Sequence, residues 1–293
     1  MTRQRVSLFD QLVDEALKTR GDLAALRPVV EKELLHHDIL RELSAAGLLK
    51  GLTFIGGTCL RACYGSPRLS ENLDFTGGRD FKRSDLIDLG HVLTETLQTR
   101  YGLPVKVSEP AKSSGRVTTW KLRVETRPGK KQLPAQRIHI DICALPSHDP
   151  RPMMLRNIYG IDLGTSGLIL QAQSREEILA DTIVALALRE NRLKNRDLWD
   201  ILWLTQRGVD LPAMLIPRKV QDHQRDNTAF ARLLEERVAE LKTNPACRDD
   251  FLREMRRFLP VATVRDTLDQ PVYWTVLTQI VEQQSTLALA TLK

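Results

Sequence analysis

Three isoleucines at alternate positions, Ile138, Ile140 and Ile142, with His139 and Asp141 between them, most constrain what this chain can become. A period of two marks a strand with one face buried. The isoleucines predict a row in the core; His139 and Asp141 predict a row facing the other way. "VKVSE" and "GRVTTWKLRVET" upstream repeat the alternation with β-branched residues, which predicts a sheet across the middle of the chain. An aspartate on so apolar a strand is costly if buried alone. A nearby metal or cation would explain Asp141, and so would a solvated face.

Helical periodicity brackets this sheet. Residues from about Ser7 to Leu49 read as helices, with Gly47 as the stop. A helix over 84–102 is predicted, with Ser84 as N-cap and Gly102 as its close. From Ser174 onward the pattern is helical, opening with a capping box of Ser174 and Glu177. "NRDLWDILWLTQRG" predicts the next helix, and Trp199, Leu202 and Trp203 on it predict core packing. Further helices are predicted over about 227–242, 248–258 and near the C-terminus. The periodicity breaks around 147–175, which places one domain at 1–150 and a mainly helical one at 151–293. At 293 residues the chain could hold one large domain or two ordinary ones, and 42% hydrophobic residues are enough for a real core.

Cys59, Cys63, Cys143 and Cys247 form no C-x-x-C pair, which argues against a zinc site; Cys59 and Cys63 read as small buried residues. The N-terminal residues lack a signal-peptide pattern, and no apolar run reaches the ~20 residues of a membrane helix. A cytoplasmic protein without membrane contact is expected. The net charge of +6 is compatible with a polyanionic partner.

"FIGGTCLRACYGSPRLSENLDF", residues 54–75, carries the chemistry. It reads as strand, glycine pair, short helix, basic turn, acidic strand. Gly56 and Gly57 would let a ligand approach the backbone, and Thr58 adds a hydroxyl, although a tight turn needs the same glycines. No P-loop is present. Asn72 and Asp74 share one strand face, with Leu73 and Phe75 on the core side. A carboxylate there, beside bound phosphates, suits Mg²⁺. Arg68 and Ser70 could contact phosphate oxygens or simply belong to the turn.

Gly-Gly-Thr, a short helix ending in Tyr-Gly, then Arg-x-Ser-Glu-x-x-Asp-Phe, resembles the AbiEii family of nucleotidyltransferase toxins, within the DNA polymerase beta-like superfamily. "EILADTIVALALRENRLKNRDLWDILWL" resembles the family's downstream helical motif. The resemblance covers roughly residues 53–204. It implies an α+β fold: a polymerase beta-like nucleotidyltransferase core of a small mixed sheet flanked by helices, with a helical C-terminal domain closing the cleft. It implies transfer of a nucleotidyl group from an NTP with Mg²⁺ (or Mn²⁺), to the tRNA 3′ CCA end or another RNA, and a cognate antitoxin. Asp74 and Asp141 would hold the metal, with Asn72 as a further ligand. Gly56, Gly57, Thr58, Arg68 and Ser70 would bind the nucleotide. Lys194 would meet the triphosphate, with Asp197 orienting it or acting as a base near the acceptor. A nucleotide- or RNA-binding pseudoenzyme on the same fold, or NMP transfer to a protein, are the alternatives.

The chain departs from the family pattern twice. Asn72 stands where the family commonly has a second aspartate, and Thr182 where it commonly has a lysine. Glu71 could supply the missing negative charge, and Lys194 or Arg189 the missing positive one. Basic clusters at 130–131, 189–196 and 253–257 would track an RNA backbone if they lined one groove. His36-His37-Asp38 faintly resembles a metal-hydrolase signature, but no partner motif accompanies it.

Overall fold

The computed structural model describes residues 7–110, 115–128, 134–190 and 193–292. Lys130, Lys131 and Arg192, from the expected basic clusters, lie outside them. The chain divides into two compact units. One comprises Met1–Gly65, Leu69–Pro146 and Pro152–Ala172; the other comprises Ser66–Arg68, Ser147–Arg151 and Gln173–Lys293.

The first unit opens with α1 (Leu8–Thr19), whose N-cap Ser7 accepts the Asp10 N–H at 3.1 Å, and α2 (Arg27–Ala45). Then come β1 (Thr53–Ile55), α3 (Gly56–Ala62), β2 (Leu73–Thr76) and α4 (Leu89–Tyr101). Gly102 closes α4 at a φ of 63°, which a residue without a side chain adopts at little cost. The predicted helix start at Ser84 is corrected. A separate 3₁₀ turn, Arg83–Leu86, precedes α4, and its N-cap is Lys82, whose N–H is taken by the Asp85 carboxylate at 2.9 Å.

The strands β3 (Val105–Ser108), β4 (Val117–Val124) and β5 (Gln136–Cys143) lie where the alternation predicts them. Two more, β6 (Pro150–Met154) and β7 (Ile169–Gln173), fall where the sequence shows only broken periodicity. β6 is an edge strand, the one place in a sheet that tolerates its two prolines. The seven-stranded sheet runs β3-β4-β5-β2-β1-β7-β6. It is mixed: β2 is parallel to β5 and β1 to β7, while β3–β4–β5 and β1–β2 are antiparallel. Trp120, Leu122, Ile138, Ile140 and Ile142 are buried on one face, against which α2 and α4 pack. Phe54 and Phe75, in register on β1 and β2, join the same core with ring centroids 5.1 Å apart. The buried end of β5 is pinned to α2, where Glu31 accepts from Gln136 Nε2 at 2.7 Å and pairs with Arg127.

The second unit is helical: α5 (Arg175–Leu188), α6 (Asn195–Gln206), α7 (Ile216–Asp222), α8 (Asn227–Thr243), α9 (Pro245–Met255), α10 (Val261–Asp266) and α11 (Tyr273–Ala290). Ser174 caps α5 by accepting the Glu177 N–H at 3.1 Å. The Glu177 carboxylate does not return to Ser174. It is fully buried and accepts from Ser147 Oγ at 2.8 Å, the N–H groups of His148 and Asp149 at 2.7 and 2.6 Å, and Lys219. Trp199, Leu202 and Trp203 are buried, as their spacing predicts.

Candidate functional site

β2 and β5 run parallel with Leu73 opposite Ile140 and Asp74 opposite Asp141. Residues in register on neighbouring strands point the same way, and the strands lie about 4.8 Å apart. The two carboxylates therefore stand side by side on the face away from the isoleucines. The row continues to Thr119 on β4 and Ile55 on β1. Thr119 Oγ1 donates to Asp141 Oδ1 at 2.6 Å, which fixes that carboxylate's orientation. Thr119 is a member of the site that sequence reasoning missed. Its alternation was visible in "VTTWKLRV", but its pairing with Asp141 depends on a register that only the hairpin sets.

Gly56 follows β1 with a φ of +72°. A Cβ there would lie 3.6 Å from Asp74 Oδ2 and 3.7 Å from its Cβ. The backbone at the start of α3 is thus immediately beside the Asp74 carboxylate. Gly56 and Gly57 are both half-buried.

Several expected ligand groups are committed to the fold. Thr58 and Ser70 are 2% and 5% exposed, and their hydroxyl oxygens are 2.6 Å apart. Thr58 also donates to the Asn72 carbonyl. Glu33 from α2 accepts the Ser70 N–H at 3.3 Å while pairing with Arg61 at 3.1 Å and accepting from Tyr159. These bonds brace the segment leading to Asn72 and Asp74. The Asn72 side-chain oxygen accepts the His139 N–H at 3.2 Å, so it serves the β2–β5 junction. Glu71 pairs with Lys32 at 2.7 Å.

In the helical unit Arg68 is buried in a two-pronged pair with Asp200, at 2.9 and 2.6 Å. Burial pushes the Asp200 carboxyl up, and Arg68 works against that shift. Asp197 faces two cations, Arg189 at 3.1 Å and Lys194 at 3.7 Å. Thr182 is buried and donates to the Ile178 carbonyl at 2.6 Å within α5. Beside it, Asp181 receives Lys219 at 2.9 Å. Burial alone would lower the Lys219 pKa, but Asp181 and Glu177 outweigh it and hold the ammonium above its ordinary value.

Asp74 and Asp141 are hard oxygen donors on one face. Mg²⁺ commonly takes one or two carboxylates and leaves its other positions to waters and substrate phosphates, so this pair fits such an ion. Among the described residues no group of three or more His, Cys, Asp or Glu is placed to hold a metal. His36, His37 and Asp38 are buried on α2 and bonded to the Glu71 carbonyl, Thr165 and Tyr101 respectively.

A family model described as nucleotidyl transferase AbiEii toxin, type IV TA system, matches residues 38–276. Among solved structures, MenT4, a nucleotidyltransferase toxin from Mycobacterium tuberculosis H37Rv, is similar at 19% identity, with a TM-score of 0.61 over 94% of this chain and 89% of that one. JHP933 from Helicobacter pylori is similar at 15% identity, with a TM-score of 0.48 over 89% of this chain and 94% of that one. No curated protein matches the sequence.

Proposed function

The chain belongs to the AbiEii nucleotidyl transferase toxins of type IV toxin–antitoxin systems, and from that premise we propose that it moves NMP from an NTP to the 3′ CCA end of tRNA in the cytoplasm. As a family member it is a nucleotidyltransferase that uses an NTP and a divalent metal, with an antitoxin as partner. The proposal adds the acceptor, the preference for Mg²⁺ and the residues that act. The observation that carries the residue assignment is the register of Asp74 with Asp141, beside Gly56.

Asp74 and Asp141 would hold the cation, which when bound supplies charge neutralisation at the transferring phosphoryl group. Thr119 keeps one Asp141 oxygen turned, leaving the other for the ligand. Gly56 and Gly57 would present backbone N–H groups to the phosphates, since neither carries a side chain to hold them off. Thr58 and Ser70 act through the turn they brace, and Asn72 through the strand junction it ties. Lys194, oriented by Asp197, would add positive charge for the triphosphate.

The test is incubation with each labelled NTP, Mg²⁺ and total cellular RNA. A labelled band of tRNA size supports the proposal. Label appearing on protein, or nucleotide binding with no labelled product, would overturn it.

A further inference from the structure

The face that carries Asp141 continues outward across β4 and β3, and it is basic. Lys106 on β3 is in register with Arg123 on β4, and Arg123 with Arg137 on β5. One row nearer the carboxylates, Ser108 is in register with Lys121, and Lys121 with His139. Lys106, Lys121, Arg123 and Arg137 are all exposed. The next row holds Thr119 and Asp141. A row of three cations, and Lys121 in the row between it and the carboxylates, thus lie beside the candidate site, spaced about 4.8 Å across strands and about 6.7 Å along them.

Like charges directly opposite one another across strands are destabilising, and this hairpin sets three cations abreast. Arg123 has a carboxylate neighbour, Glu125 at 2.7 Å. Among the described residues no ion pair joins Lys106, Lys121 or Arg137 to a carboxylate. The expected basic clusters of the helical unit differ. There Arg189 pairs with Asp197, Arg196 with Glu254 at 3.6 Å, and Arg256 with Asp269 at 2.6 Å. On the sheet face three of the four cations stay unpaired among the described residues and open to solvent.

We propose that this face of β3, β4 and β5 binds the sugar–phosphate backbone of the RNA acceptor and leads it to Asp74 and Asp141. The inference rests on the reading that the acceptor is RNA. An acidic protein is the other polyanion the charge would attract. Protein interfaces are anchored by aromatic and apolar side chains, and these two rows offer only Lys, Arg, Ser and His. The one large aromatic of β4, Trp120, is buried on the opposite face. With no Phe, Tyr or Trp in these rows, the face is built to hold backbone rather than to read sequence.

The test is a charge-neutral triple variant of the full chain, Lys106→Gln, Arg123→Gln and Arg137→Gln, with Arg123→Lys and Arg137→Lys as the conservative control. Binding of bulk tRNA is followed across salt concentrations, with polyglutamate as a second probe and thermal melting as the check on folding. Loss of three phosphate contacts should make the dependence of log affinity on log salt shallower by about 2, and weaken binding roughly tenfold to a hundredfold at moderate salt. The lysine control should retain the wild-type slope. A triple variant that melts like wild type and binds tRNA with unchanged slope overturns the proposal, as does a wild type with no salt-dependent tRNA binding. Loss of polyglutamate binding with tRNA binding intact would assign the face to an acidic protein instead. If the wild type binds tRNA through this face yet labels no RNA with any NTP, the proposed reaction falls and the surface stands.

Discussion

At the scale of single residues, the site turns on two carboxylates and the glycine against them. Asp74→Asn and Asp141→Asn keep size and remove charge, so each should lower NMP transfer at least a hundredfold and abolish toxicity. Melting should change little, because both side chains are only half-buried. Full toxicity in either variant would remove that residue from the site. Gly56→Ala tests the close approach. It forces a side chain into a backbone with φ of +72°, which costs about 1–2 kcal/mol, and sets a methyl 3.6 Å from Asp74 Oδ2. Transfer should drop well beyond what the lost stability explains; activity tracking the folded fraction alone would argue against the glycine's role. Asn72→Asp offers the same acceptor oxygen to the His139 N–H and adds a negative charge next to Asp74. The Mg²⁺ concentration for half-maximal transfer should fall several-fold, and equal or lower activity at every Mg²⁺ concentration would show that the amide is not a loss. Asp141 was legible in the sequence because alternation alone places it opposite the isoleucines. The commitments of Thr58, Ser70 and Arg68 were not, because a hydroxyl or guanidinium in a turn looks the same whether it faces a ligand or another side chain.

At the scale of elements, α2 is the brace behind the site, and it carries two buried imidazoles. Desolvation by burial lowers the pKa of His36 to about 4 and of His37 to about 4, with Glu33 opposing the shift and Lys32 or Arg61 and Arg41 reinforcing it. Both are neutral in the folded state, so the unfolded chain takes up protons first as pH falls. Their contribution is complete above about pH 6.5 and is lost towards pH 4, by an order of 2–3 kcal/mol per histidine. Denaturant midpoints should therefore fall from pH 7 to pH 4.5, and the fall should shrink in His37→Asn; a flat profile would contradict the burial. In the helical unit, Lys219→Met removes the only cation seen on the fully buried Glu177 among the described residues. That should cost about 3–5 kcal/mol. Most elements were legible from periodicity, since apolar spacing of two or 3.6 survives in single strands and helices. β6 and β7 were not. β6 is short, proline-bearing and exposed at four of its five positions, so it carries no buried row to read.

At the scale of the whole molecule, charge and connectivity matter more than any contact. Arg137→Glu exchanges a repulsive cross-strand neighbour of Arg123 for an attractive one, which should stabilise the chain by about 0.2–1 kcal/mol while weakening RNA binding. A variant both less stable and weaker in binding would instead mean that Arg137 supports the fold. The sequence reading drew its boundary near residue 150 from a break in periodicity, and nothing in Ser66–Arg68, three residues ahead of β2, signals that they group with the helical unit. Their membership has a temporal consequence. Arg68 leaves the ribosome 132 residues before its partner Asp200. At 5–20 residues per second that is on the order of ten seconds. Through that interval the nascent chain holds, on the segment that leads into Asp74, an arginine whose folded position is buried, while Asp200, the carboxylate of its two-pronged pair, has yet to be made. Synthesis thus places the completion of the Arg68–Asp200 pair after the sheet has been made, so the segment leading into Asp74 gains its last anchorage late.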